Sequence, residues 1–212
     1  MRSMVHFLVL SLLVMSGSPA LAVVSGSAMI GARNGNFTTQ TTSVSKSVAY
    51  SGTDFSIAGH LIPMPWIPVS VGASVNFGTY TWADGGVNFD TTGTTMDLET
   101  KAWWPVTDTI RPFATLGYTT LGSWKTSFTT ELQTGSGKRR YEYSSTPRAF
   151  NAGLGVGYDL TSTIGVFGAY KFSMGGKVQT ESIQFEPTVQ PTESTTAEMK
   201  SGTFFIGTSV GV

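Results

Sequence analysis

The sequence predicts an all-β chain: an eight-stranded antiparallel up-and-down transmembrane β-barrel. Three observations carry this. Apolar residues alternate with small or polar ones in about eight separate stretches. The connections between those stretches run short and long in turn. Glycine recurs on a single face, as in 150–160, "FNAGLGVGYDL", where Gly153, Gly155 and Gly157 fall together. Glycine weakens a strand that faces water, but it makes room inside a narrow barrel for bulky neighbours.

Composition narrows the choice. Charged residues are 12% of the chain, against about a quarter in a soluble domain. The formal net charge of +0 offers no broad basic face for nucleic acid. There is no cysteine, which excludes disulfides and thiolate-bound metal. The start reads as a secretory signal peptide over residues 1–22. Arg2 precedes the apolar run Val5–Met15, which is too short to span a bilayer, and Ala20-Leu21-Ala22 supplies a small-x-small cleavage site. Residues 23–212 then form the barrel domain.

The stretches follow in order. Within 25–34, Ala28, Ile30 and Ala32 share one face. Within 53–62, Phe55, Ile57 and Leu61 oppose Ser56, Ala58 and His60. Within 67–80, Val69, Val71, Val75 and Phe77 oppose Ser70, Gly72, Ser74, Asn76 and Gly78. Within 94–104, Met96 and Leu98 oppose Asp97, Glu99 and Lys101. The stretches 112–124, 150–160, 163–173 and 200–212 repeat the pattern. Alternation alone also fits a soluble barrel of the lipocalin type, with its faces inverted.

The short connections fall at 63–66, 106–111 and 161–163. The long ones fall at about 35–52, 81–93, 125–147 and 174–199, so every long loop leaves from the same end. On this meander Trp66, Trp104 and Tyr158 lie toward the short-turn end. Phe55, Phe77, Tyr80, Trp82, Trp124, Phe150, Tyr170 and Phe172 lie toward the long-loop end. Two aromatic belts suit two membrane–water interfaces. With the one-sided loops and the glycine stripe, they select the membrane version over the soluble one.

The signal peptide, the alternating segments, "VSVGASVNF" and "FNAGLGVGYDL" resemble the small outer-membrane β-barrel superfamily, which includes the barrel of outer membrane protein A and the outer membrane proteins X and W. Phe205, Gly207, Val210 and Val212 have the spacing of its terminal assembly signal, with valine where the last residue is often Phe or Tyr. The resemblance implies a bacterial outer-membrane location, contact with outer-membrane lipid and lipopolysaccharide, and delivery by periplasmic chaperones to the barrel assembly machinery. It implies a structural or surface-interaction role with displayed extracellular loops. The alternative is a narrow channel for small polar or hydrophobic solutes.

The inward faces collect Arg33, His60, Asn76, Asp97, Glu99, Lys101, Asn151, Asp159 and Lys171. Buried charge is costly unless paired, so a mixed-sign network filling the lumen is expected, with a gated polar path as the alternative. No enzyme, cofactor or metal site is expected. "GTSVG" at 207–211 matches the G-x-S-x-G pattern, but that motif needs a strand-to-helix turn, and Ser209 sits in a closing strand. His60, the single histidine after residue 22, falls at the short-turn end, whereas barrels that act on lipid place a histidine near the outer leaflet. Lys138, Arg139 and Arg140, beside Tyr141 and Tyr143, suit either an anionic lipopolysaccharide contact or a solvated hairpin tip.

Overall fold

The computed structural model describes residues 23–40, 45–62, 68–104, 106–131, 138–185, 188–190 and 196–211. The expected signal peptide, Trp66 with the turn at 63–66, and Val212 lie outside the described residues. Among the described residues there are eight long strands and one short one: β1 (Val23–Gln40), β2 (Ser45–Ile62), β3 (Val69–Asp84), β4 (Val87–Trp103), β5 (Ile110–Glu131), β6 (Lys138–Asp159), β7 (Ile164–Phe185), β8 (Thr188–Gln190) and β9 (Thr196–Gly211). Each long strand pairs antiparallel with the next, β7 pairs with β9, and β9 closes the ring on β1. The short β8 adds only to the far end of β7. Closure leaves no open edge among the long strands, which is what a strand wall in hydrocarbon requires.

The two faces differ in kind. Outward positions are apolar: Leu116 is 68% exposed and Leu154 65%, with Ile30, Leu98, Val156, Phe204 and Ile206 also open. Inward positions are polar and closed: Asp54, Ser56, Ser74, Asn76, Asp97, Asn151 and Thr203 are buried. A soluble barrel would reverse this arrangement.

The glycines are spent on close approach across the ladder. Gly31 lies opposite Phe205, Gly207 opposite Phe167, Gly155 opposite Phe113, Gly93 opposite Trp124, Gly52 opposite Tyr80 and Gly35 opposite Tyr50. In each pair the aromatic ring occupies the space a glycine Cβ would fill. An inward ring can therefore lie flat along the wall, which packs the core and covers a side-chain gap in the neighbouring strand.

Both described short turns use the same device. Thr107 Oγ1 accepts hydrogen bonds from the Thr109 and Ile110 amides, and Thr161 Oγ1 accepts them from the Thr163 and Ile164 amides. A threonine hydroxyl thus satisfies donors that the ladder leaves free.

At the other end the structure corrects the expected long loops. Segment 81–93 is a hairpin with a two-residue turn, where Gly85 and Gly86 take φ of 57° and 82°. Two positive φ values make the tight turn whose twist matches paired strands. The strands likewise run through much of 35–52, 125–147 and 174–199, so hairpin arms stand beyond the apolar band. A ladder needs only backbone partners, and Thr-rich sequence favours it without apolar alternation.

One seam interrupts the wall. Thr120 is the extra residue of a bulge in β5, since Met96 pairs with Leu121 but Asp97 with Thr119. Pairing of β5 with β6 lapses between Tyr118–Phe150 and Trp124–Ser145, beside Pro147, which is fully buried and has no N–H to donate. Opposite, Gly175 at φ 63° accompanies a break in the β6–β7 register.

Candidate functional site

The interior carries two polar networks and an aromatic cap. The first network spans β1, β2, β3 and β9. Arg33 Nε lies 2.7 Å from Asp54 Oδ2 and donates to Thr203 Oγ1 at 3.1 Å. The Tyr80 hydroxyl donates to Asp54 Oδ1 at 2.5 Å, and the guanidinium sits 5.3 Å from the Tyr80 ring centre.

The second network centres on Asp97. It receives Lys171 Nζ at 2.6 Å, the Thr119 hydroxyl at 2.7 Å and the Asn76 amide at 3.2 Å. Asn151 extends it by donating to Thr119 at 3.1 Å and accepting from Ser173 at 2.7 Å. Glu99 joins through Lys171 at 3.9 Å and through His60 Nε2 at 3.0 Å. Nearest the short turns, Lys101 Nζ lies 4.1 Å from the Phe113 ring centre and 5.5 Å from that of Phe167.

Arg33, Lys101 and Lys171 thus oppose Asp54, Asp97 and Glu99, three charges of each sign. Low dielectric makes such pairs strong and an unpaired member costly. The cavity bordered by His60, Glu99, Lys101, Phe113 and Phe167 holds about 40 Å3, room for a few waters. Toward the arms the lumen is filled by Tyr50, Tyr80, Trp124, Ala149 and Met199, with Phe37 and Trp82 packed against them.

Of the nine inward polar residues singled out from sequence, Asn76, Asp97, Glu99, His60, Asn151 and Lys171 meet in the second network. Arg33 belongs to the first, and Lys101 makes ring contacts. Asp159 joins neither: its carboxylate pairs with Arg111 at 2.7 Å at the half-exposed short-turn mouth. Asp54, the partner of Arg33, was not singled out. Its position is on the same face as Ser56, Ala58 and His60, so parity alone identifies it.

Among the expected belt residues, Trp104 and Tyr158 near the short turns, and Phe55, Phe77, Phe150, Tyr170 and Phe172 toward the arms, point outward and are exposed. Tyr80, Trp82 and Trp124 are corrections. Tyr80 and Trp82 continue the inward parity of Ser74 and Asn76, and Trp82 stacks on Phe89 at 3.8 Å. Trp124, 2% exposed, is turned inward by the Thr120 bulge, which shifts the parity of β5 by one residue.

Ser209 lies within β9, opposite Ser27 and Gly165, and among the described residues no strand-to-helix turn follows it. Among the described residues no group of three His, Cys, Asp or Glu side chains is placed to hold a metal ion. The backbone of Lys138–Arg140 lies in β6.

No protein-family model matches the chain, and no curated protein matches it. Solved structures are similar in chain path. Outer membrane protein OprG of Pseudomonas aeruginosa matches at TM-score 0.49 and 11% identity over 91% of this chain and 96% of that one. Neisserial surface protein A matches at 0.47 and 11%, over 86% and 96%. The outer-membrane protease OmpT of Escherichia coli matches at 0.42 and 12%, over 93% and 100%. Likeness of this strength assigns no role to this chain, and its own residues support the function proposed below.

Proposed function

We propose that the chain is an integral outer-membrane barrel with a closed lumen, which acts through its outer face and its displayed hairpin arms. The apolar exterior over a polar interior supports the membrane setting, because burying Leu116 and Leu154 in lipid removes apolar surface from water at about 25 cal/mol per Å2. A secretory signal over residues 1–22, periplasmic chaperones and the assembly machinery would deliver it. The single observation that favours a structural and surface role over conduction is the filled lumen: aromatic cap, two ion-paired networks, and a residual cavity of about 40 Å3. A hydrated path would need the Asp97–Lys171 pair to part, which leaves charge unpaired in a low-dielectric interior.

Planar-bilayer recording on the purified barrel tests this. Electrical silence is expected. Discrete steps that vanish on Lys101→Ala or Glu99→Gln would replace the closed barrel with a narrow channel.

A further inference from the structure

Just beyond the apolar band, on the outward face of three neighbouring strands, stand Arg148 of β6, Lys177 of β7 and Lys200 of β9. All three side chains are exposed, and none makes an ion pair or hydrogen bond among the described residues. Arg148 pairs in register with Lys177, Lys177 with Glu198, and Lys200 with Asn36. Two like charges set directly opposite across a ladder destabilise it; Glu198 faces Lys177 from β9, while Arg148 and Lys200 have no carboxylate in register with them.

The residues on the barrel side of these cations are apolar. Phe150 follows Arg148 on the outward face and pairs with Met174, which precedes Lys177 across the Gly175–Gly176 break. Gly202, the outward neighbour of Lys200, lies beneath the Tyr170 ring. Phe172, Met174 and Phe150 are exposed.

A groove of about 1100 Å3 opens at this level, bordered by Tyr170, Phe172, Met174 and Lys200 on one side. Asn34, Asn36, Asn88 and Asp90 border the other. Free cations, an apolar floor and a wall of amides match three parts of one molecule: phosphate, acyl chain and sugar hydroxyl. Among the described residues of β1–β4 no free cation stands at this level. Lys46 there is already paired with Asp84 at 2.6 Å.

We propose that Arg148, Lys177 and Lys200 with this groove bind the phosphorylated sugar headgroup of an outer-leaflet glycolipid, whose acyl chains lie on Phe150, Phe172 and Met174. The cations take the phosphate as charge-assisted donors, and Arg148 can do so with two parallel N–H groups. Asn34, Asn36 and Asn88 meet sugar hydroxyls. Glu198 beside Lys177, with Asp90 on the far wall of the groove, keeps the site from acting as a general anion trap.

The inference rests on the membrane setting proposed above, and the experiment separates the two. The detergent-folded barrel is titrated with purified lipopolysaccharide and with the same lipid after phosphatase treatment. Folding of each variant is checked by the mobility shift between boiled and unboiled samples. Loss of one charge-assisted contact in Lys200→Glu is expected to weaken binding at least about tenfold, and the triple change R148Q/K177Q/K200Q further. Thr94→Glu, an exposed outward change on β4 beyond the groove, leaves affinity unchanged. Equal affinity for the dephosphorylated lipid, or a folded triple variant that binds like the parent, overturns the site while leaving the barrel in the membrane. A chain that stays folded and monodisperse without detergent overturns the membrane setting itself.

Discussion

Arg33 and Asp54 meet diagonally across the β1–β2 ladder, Nε to Oδ2 at 2.7 Å, both closed off from solvent. Tyr80 completes the carboxylate's partners from the third strand. Removing one member of a buried pair strands the other. Asp54→Ala is therefore expected to cost about 3–5 kcal/mol, and Tyr80→Phe, which removes a hydrogen bond to a charged group, about 1.5–3 kcal/mol. Arg33→Met combined with Asp54→Leu removes both charges and should recover most of the loss. Urea unfolding in lipid vesicles, followed by gel mobility, measures all of these; equal losses for the single and double variants would show that the pair is not the source.

Gly93 and Gly59 predict opposite outcomes for the same substitution. A Cβ at Gly93 would meet the Trp124 indole and the Ser123 carbonyl, whereas at Gly59 it meets nothing within 4 Å. Gly93→Ala is expected to destabilise by about 1–3 kcal/mol, because the buried indole must move. Gly59→Ala is expected to be neutral or stabilising by up to about 1 kcal/mol, since it restricts the unfolded chain. Trp124 fluorescence in the Gly93 variant should shift red as the ring meets water. An unshifted spectrum with parent-like stability would contradict the ring-on-glycine packing.

Tyr143 lies in the β5–β6 arm, beyond the apolar band. Burial holds its phenol above the ordinary tyrosine range, and a hydrogen bond with Thr126 offsets this only in part. A folded pKa above the unfolded one means the folded arm favours the neutral phenol. That contribution is fully present below the unfolded value of about 10 and is lost as pH rises through the folded value. Stability measured across alkaline pH should fall in this window, and Tyr143→Phe should flatten the fall. An unchanged profile in the Phe variant would assign the alkaline loss elsewhere.

The barrel was legible in sequence because its signal is periodic. Leu154 and Gly155, or Leu98 and Asp97, differ in kind at adjacent positions, and one face recurs on every strand. The arms were not legible, because beyond Ala32 or Phe77 the outward face turns polar, with Asn34 and Asn36 or Thr79 and Thr81, while the backbone ladder continues. Tyr80 and Asp54 could have been placed by extending the parity of their own strands. Trp124 could not, since nothing in "TTLGSW" marks which residue the bulge at Thr120 leaves over. The two separate ion-paired networks were beyond reach for a different reason. Parity gives the face of a residue, but strand stagger decides which inward charges meet.

Leu116 gives the sharpest test of the environment. It is 68% exposed on the outward face of β5, between Ala114 and Tyr118 in the apolar band. For a protein in water, Leu116→Lys would fall within about 0.5 kcal/mol of neutral, as exposed substitutions generally do. In a bilayer the same ammonium must enter hydrocarbon or drag headgroups inward, at a cost of about 2–4 kcal/mol near the midplane. Asp90→Lys, on the β4 arm beyond the band, meets water in either setting and should stay near neutral. Unfolding free energies of the two variants in vesicles should therefore separate by about 2 kcal/mol or more. The gap should narrow as the bilayer is thinned with shorter acyl chains, because the interface then moves toward Leu116. Equal stabilities in thick bilayers would mean that the apolar face of β5 does not meet lipid.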